Sequence, residues 1–212
     1  MFQKVDSKPR ATLPWGNTAL EQSCVLARVF KARISNMRRM TAQDLLAEYQ
    51  NGRRDFREVD LSQIDLFECN LQDIDLRGSN LNQAYLPYAN LSRANLQEAQ
   101  IQDAELSNAR LQMANLTQAK LQGTRLLRAD LSYAQLQRAD LSKANLRSAD
   151  LRSACLKLAN LIGADLSNVN LEDAQFEGAD LSQCNLFRAQ SANLTQAVVD
   201  ESTVFPDGHR ER

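Results

Sequence analysis

"RADLSYAQLQRADLSKANLRSADLRSACLKLANL" fills residues 128–161, and a leucine stands at every fifth position of it. The period runs far outward in both directions. From Phe56 to Leu186 every fifth residue is Leu, Phe or Ile, 27 consecutive positions, and only Phe56, Ile101 and Phe176 are not Leu. Two residues before each centre i sits a small residue, mostly Ala; Ala89, Ala94, Ala99, Ala104, Ala109, Ala114 and Ala119 follow in unbroken order. At i−1 Asp or Asn is favoured, as in Asp60, Asn95, Asp140 and Asp180. The unit is A-(D/N)-L-x-x, and a repeat of this kind decides the whole architecture.

A period of five fits neither regular element. On an α-helix five residues advance about 500°, so the leucines would spiral around the axis. On a straight strand side chains alternate between faces, so successive leucines would point up and down by turns. The pattern closes only if each pentapeptide holds a short extended piece and a corner. Positions i−2 and i then point inward, while i−1, i+1 and i+2 point out. Such a coil buries a leucine column and hydrogen-bonds to the coils above and below, about 4.8 Å away.

The run over residues 54–200 resembles the pentapeptide-repeat proteins. The helix that leads into "RRDFREVDLSQIDL" (53–66) and the "FPDG" end (205–208) are similar to cyanobacterial members. The resemblance implies an all-β solenoid, a right-handed quadrilateral β-helix with four pentapeptides per coil and about seven coils. At the strand spacing that stack is roughly 30–35 Å long. Each buried leucine contributes about 1.5–3 kcal/mol, much of it offset by ordering the chain.

Both ends of the stack carry signals. In "MTAQDLLAEYQNG" (40–52), Thr41 with Asp44 three residues on forms a capping-box variant. Leu45, Leu46 and Tyr49 supply an apolar stripe and Gly52 a stop. Residues 40–53 are therefore expected to be a helix covering the first coil. At the other end Ser191 falls where Leu is due, and Leu194 and Val199 restart the pattern three residues late. This predicts a bulged last coil, then a cap and tail over 201–212 with Phe205 plugging the end. Residues 1–39 hold eight Lys and Arg against only Asp6 and Glu21, with an amphipathic basic helix available over Ala19–Met37. Three readings fit that segment: a flexible extension, a docking helix, or a targeting segment. Met40 also fits as a natural start.

Composition gives few handles on chemistry. A formal net charge of −1 exerts no general pull toward nucleic acid or anionic membrane. No apolar run approaches the ~20 residues of a membrane span, and no compact apolar h-region is followed by a cleavage signal, so secretion is not expected and a cytoplasmic location is. Cys24, Cys69, Cys155 and Cys184 form no CxxC pair and read as reduced packing thiols. Cys155, at i−1, is expected to face outward. His209 is the only histidine and lies in the tail, which excludes a His-based triad within the coil. No phosphate-binding glycine motif occurs. Columns such as Asp55, Asp75, Asn95 and Asn115 repeat once per coil and suit hydrogen-bond ladders better than metal ligands. No catalytic residue, metal or cofactor is expected, and the protein reads as a non-enzyme.

Function then falls to the outer surface. Taking every twentieth residue collects one side of the coil. One side carries Phe67, Pro87, Leu127 and Phe187 at i+1, with Tyr85 at i−1 and Tyr88 at i+2. The other three sides are nearly all polar at i+1. A clustered apolar group on a polar surface marks an interface, so these six residues are the candidate interaction face of a scaffold or protein–protein interaction module. Its occupant is another protein, a second copy in a homo-oligomer, or the N-terminal segment; scattered surface residues are the plain alternative. A different class of function is also on offer, because some pentapeptide-repeat proteins mimic duplex DNA and bind DNA gyrase. That role requires a long negative surface. Residues 55–109 carry ten acidic and three basic side chains, but residues 110–157 carry nine basic and three acidic. A basic belt at mid-coil opposes phosphate mimicry. It lacks interleaved aromatic platforms, so nucleic acid is not the expected partner.

Overall fold

The computed structural model describes residues 37–210. Expectations for residues 1–36, including the basic helix from Ala19 and the state of Cys24, lie outside the described residues. Over the repeat, each i−1 residue forms a parallel bridge with the residue twenty positions on, from Asp55 with Asp75 to Asn170 with Gln190. One coil therefore takes four pentapeptides, and the unit is a β-solenoid. Among the described residues no helix is long and apolar enough to cross a membrane.

The pentapeptide accounts for all five of its N–H groups. The centre donates to the i−1 carbonyl of the next coil (Leu61 N–H to Asn80 O, 2.7 Å), and i+2 donates to the i+1 carbonyl of the next coil (Gln63 to Asn82, 2.9 Å). The i−1 N–H donates one coil back (Asn80 to Val59 O, 2.9 Å), and i−2 closes a turn onto the preceding centre (Ala114 to Leu111 O, 3.0 Å). Only the i+1 N–H lacks a backbone acceptor. The Asp or Asn at i−1 supplies one from its side chain: Ser62 N–H donates to Asp60 Oδ1 at 3.0 Å and Ile162 N–H to Asn160 Oδ1 at 3.1 Å. This Asx turn is the reason for the D/N preference. Ladders between coils also form, as in Asn80 Nδ2 to Asp60 Oδ1 at 2.8 Å, but the local bond recurs far more widely.

The corner is made by a left-handed residue at i+2, for example Met113 at φ 57° and Tyr133 at φ 60°. Positive φ at the third turn residue is the type II requirement. L-residues adopt it at a cost of roughly 1–2 kcal/mol each, offset here by the bond to the next coil. Inward positions are mostly Ala or Leu, and nearly all of them are almost fully buried. At three inward i−2 positions a hydroxyl or thiol donates to a centre carbonyl of the preceding coil: Ser79 to Phe56 O (2.9 Å), Thr124 to Ile101 O (2.8 Å) and Cys184 to Leu161 O (2.9 Å). Burial is tolerated because each such group is satisfied.

At the N-terminal end, strand β1 (Arg38–Arg39) pairs in parallel with β2 (Val59–Asp60). Met40 N–H donates to Asp60 O at 3.1 Å, and its side chain is buried, so Met40 occupies the place of a leucine one coil before Leu61. Helix α1 (Ala42–Gln50) follows, with Thr41 as N-cap. Thr41 Oγ1 accepts from Asp44 N–H at 3.1 Å, and the Asp44 carboxylate accepts from Thr41 N–H at 3.4 Å. Leu45 is fully buried, Leu46 and Tyr49 pack on the core, and the Tyr49 hydroxyl donates to Gln72 O at 2.8 Å. The helix thereby covers the leucine column at its first turn.

The C-terminal end departs from the expected bulge. Bridges there join Asp180 to Val198 and Asn185 to Val204, eighteen and nineteen residues apart. The last coil is short, not bulged. Ser191 takes a left-handed φ of 56° and is followed at once by Ala192-Asn193-Leu194, a new A-N-L unit. The two turn residues that normally separate one centre from the next i−2 are missing. Nor does Phe205 plug the end. It is half-buried with its ring stacked on His209 at 4.6 Å, while Thr203 enters the core and donates to Leu181 O at 3.0 Å. The open end is covered by Ala192, Leu194, Ala197 and Val199.

Candidate interaction face

Phe67, Tyr85 and Tyr88 come together on the first two full coils. Phe67 and Tyr85 stack with centroids 6.2 Å apart and planes at 18°, and Tyr88 meets Phe67 edge-on at 5.9 Å and 79°. These are favourable aromatic geometries, and they leave the three rings 45%, 46% and 54% exposed. The register explains the grouping. Phe67 and Pro87 are twenty residues apart in one column, and Tyr85 and Tyr88 flank Pro87 across the strand and the turn.

The structure divides the six candidate residues. Pro87 is buried, so it supports the rings and offers no surface of its own. Leu127 is half-buried and two coils away, about 10 Å at the strand spacing. Phe187, 40% exposed, lies three coils further, with the Arg188 guanidinium 5.0 Å over its ring. Its ring also lies against Gly208, where a Cβ would stand 3.4 Å from it. The i+2 positions hold apolar residues that column sorting at i+1 passed over. Met113 and Tyr133, 58% and 55% exposed, stand one coil apart on the next corner. Leu158 shields Gly178, where a Cβ would come within 2.7 Å of it.

Several charged groups are engaged with one another. Asp73 takes two bonds from Arg93 one coil on, at 2.6 and 2.8 Å, and these hold its carboxyl below the usual range. The Arg57 guanidinium beside Asp55 lowers that carboxyl to about 2. In the basic belt, Arg125, Arg147, Arg152 and Lys157 lie in ion pairs with Glu105, Asp165, Asp150 and Glu177. Surface pairs of this kind add little stability, but they reduce the belt's reach toward an anionic partner.

The thiols differ from the expectation in one place. Cys155 is buried, 7% exposed, because its i−1 position is roofed between Gln135 and Gln175 in the neighbouring coils. Burial pushes the Cys184 thiol up to about 12 and raises Cys69 as well, so neither is an activated nucleophile. Among the described residues no group of three His, Cys, Asp or Glu side chains is placed to hold a metal ion.

A coil built from one five-residue unit, with its inward positions filled almost wholly by hydrocarbon, defines a repeat solenoid. The sequence profile described as pentapeptide repeats, eight copies, matches residues 54–83, 74–112, 109–147 and 144–183. The chain belongs to the pentapeptide-repeat family. It is similar to HetL, a pentapeptide repeat protein involved in heterocyst differentiation regulation from the cyanobacterium Nostoc sp. strain PCC 7120. That likeness has 28% identity and a TM-score of 0.52 and covers 81% of this chain and 100% of HetL. A trypsin-treated variant of QnrB1, a plasmid-mediated fluoroquinolone resistance protein, shares the fold at 18% identity and a TM-score of 0.53, over 72% of this chain and 80% of its own. Among curated proteins no sequence matches the chain.

Proposed function

We propose that the protein is a non-enzymatic, cytoplasmic scaffold that binds another protein chain through the Phe67–Tyr85–Tyr88 cluster. The observation that carries this is the cluster itself: two half-exposed tyrosine rings packed on a half-exposed Phe67 across adjacent coils, whereas the other exposed apolar side chains make no ring cluster of this kind. Interlocked rings lose little side-chain freedom on binding, which is why aromatic anchors dominate interfaces. The coil is taken as right-handed and four-sided, in line with the strong right-handed preference of parallel crossover connections and with the family. Inward faces of Ala and Leu leave no place for paired titratable groups, which supports a binding role over catalysis. The likeness to HetL favours a part in regulation. Gyrase-directed DNA mimicry fits less well, because the mid-coil belt reverses the sign of the surface.

The test is affinity capture from a host lysate with wild type and a Tyr85→Ser/Tyr88→Asp double variant, with light scattering on both. Loss of a captured protein, or of self-association, in a variant that still melts cooperatively supports the cluster as the working surface. Equal capture and equal mass for both would refute it. A supercoiling assay with purified gyrase, inert at micromolar protein, would close the mimic alternative.

A further inference from the structure

The short last coil leaves one corner of the coil before it without a neighbour. One coil earlier, Ser153 N–H donates to Glu172 O and Leu156 N–H to Gln175 O, both at 2.8 Å. The equivalent donors here are Asp173 N–H and Phe176 N–H, and neither meets an acceptor among the described residues, although Leu171 (to Gln190 O, 3.0 Å) and Gly178 (to Gln196 O, 2.9 Å) on either side do. The Phe176 side chain is inward and the residue is 3% exposed, while Phe176 and Asp173 both also line open space, so an extended guest can reach this edge. Between this edge and the segment 191–196 opens a cleft of about 740 Å³.

The walls of the cleft have a definite chemistry. Glu172, Asp173 and Glu177 line it with carboxylates, while the facing residues, Thr195 among them, are uncharged. Glu177 gives one oxygen to Lys157 Nζ at 3.2 Å, and its buried Oε2 has no hydrogen-bond partner. The backbone thus asks for carbonyl acceptors and the side chains for cations. A free anion satisfies the first and is repelled by the second; a metal ion does the reverse. An extended peptide with basic side chains satisfies both.

We propose that this corner is a second binding site, at which an extended basic segment of a partner chain adds as a strand along Gln175–Phe176. Backbone carbonyls of the guest take the Asp173 and Phe176 N–H groups, as in strand addition to an open sheet edge, and its Lys or Arg side chains meet Glu172 and Glu177. The missing turn is what makes the site. Two residues inserted between Ser191 and Ala192 restore the A-(D/N)-L-x-x register and cover the edge with the chain's own backbone.

The experiment titrates the 15N-labelled full chain with the blocked pentapeptide acetyl-KTVTK-amide, using acetyl-ETVTE-amide as control. The expected result is saturable shifts of the Asp173 and Phe176 amide signals, at least tenfold weaker binding of the acidic peptide, and weakening by salt. The two-residue insertion should weaken binding at least tenfold, and so should Glu172→Gln/Glu177→Gln, a surface double variant that stands in if the insertion fails to fold. No shift at these amides with millimolar KTVTK peptide overturns the proposal. So does equal binding of the two peptides, wild-type binding by either variant, or shifts confined to the aromatic cluster.

Discussion

The two ends of the coil are finished by different means. At the head, a helix with a reciprocal cap and a two-residue strand cover the first turn, and Met40 continues the leucine column under them. At the tail, the repeat itself ends the stack by losing a turn, and half-buried Leu194, Ala197 and Val199 replace fully buried leucines. Closure at the head adds a dedicated element; closure at the tail removes two residues and leaves backbone donors open. An element that only protects can seal the edge completely. A subtraction from the repeat protects and exposes at once, which is why the cleft lies at the tail.

The widest separation between the ends should appear in their anchors. Leu45→Ala at the head should cost about 2–5 kcal/mol in chemical denaturation, the range for a buried leucine. Leu194→Ala at the tail should cost about 1 kcal/mol, since less of its area leaves water. Equal losses would dissolve the contrast. A mid-coil control calibrates both: Ala114→Leu overpacks an inward position at about 1–3 kcal/mol, whereas Gln112→Leu, on the exposed i+1 position, should stay within about 0.5 kcal/mol. Thr41→Ala should remove about 1 kcal/mol through the lost cap, with no counterpart at the tail.

Two finer measurements sharpen the tail. Native-state hydrogen exchange should find the Phe176 amide far less protected than Leu156, its bonded equivalent one coil earlier; matched protection would mean that the edge is closed. Cys184 adds a small pH dependence. Its thiol is raised from an ordinary 9.0 to about 12, so between those values the folded chain keeps a proton the unfolded chain has lost. Stability should therefore fall as pH climbs through that window. In Cys184→Ala, urea midpoints at pH 8 and 10 should lie closer together than in wild type.

Much of this molecule can be read from the spacing of its leucines. The period assigns the inside and the outside of each unit, and sorting by twenties brings Phe67, Tyr85 and Tyr88 to one place. What escapes that reading depends on neighbours along the stack. Pro87 looks exposed in its own pentapeptide and is buried by its surroundings, and Cys155 is roofed by coils twenty residues before and after it. Met40 continues the core without a repeat around it to announce it. The short coil is legible in principle, since Ala192-Asn193-Leu194 is a complete start of a unit. It reads as a bulge until the pairing partners are known, because a shift of three forward and of two back look alike in a period of five.

The pairing of each residue with the one twenty positions on also constrains how such a gene can change. Contacts such as Asp73 with Arg93, Glu105 with Arg125 and Lys157 with Glu177 join residues of adjacent coils, so substitutions in descendants should drift in pairs at that separation. Duplication or loss of a whole coil preserves every partnership and alters only the height of the stack. Gain or loss of a single pentapeptide keeps the leucine column intact but turns everything downstream by a quarter, and would carry Phe187 from the side of Phe67 onto the next. Lineages can thus lengthen this protein readily in steps of twenty, while steps of five redraw its surface without disturbing its core.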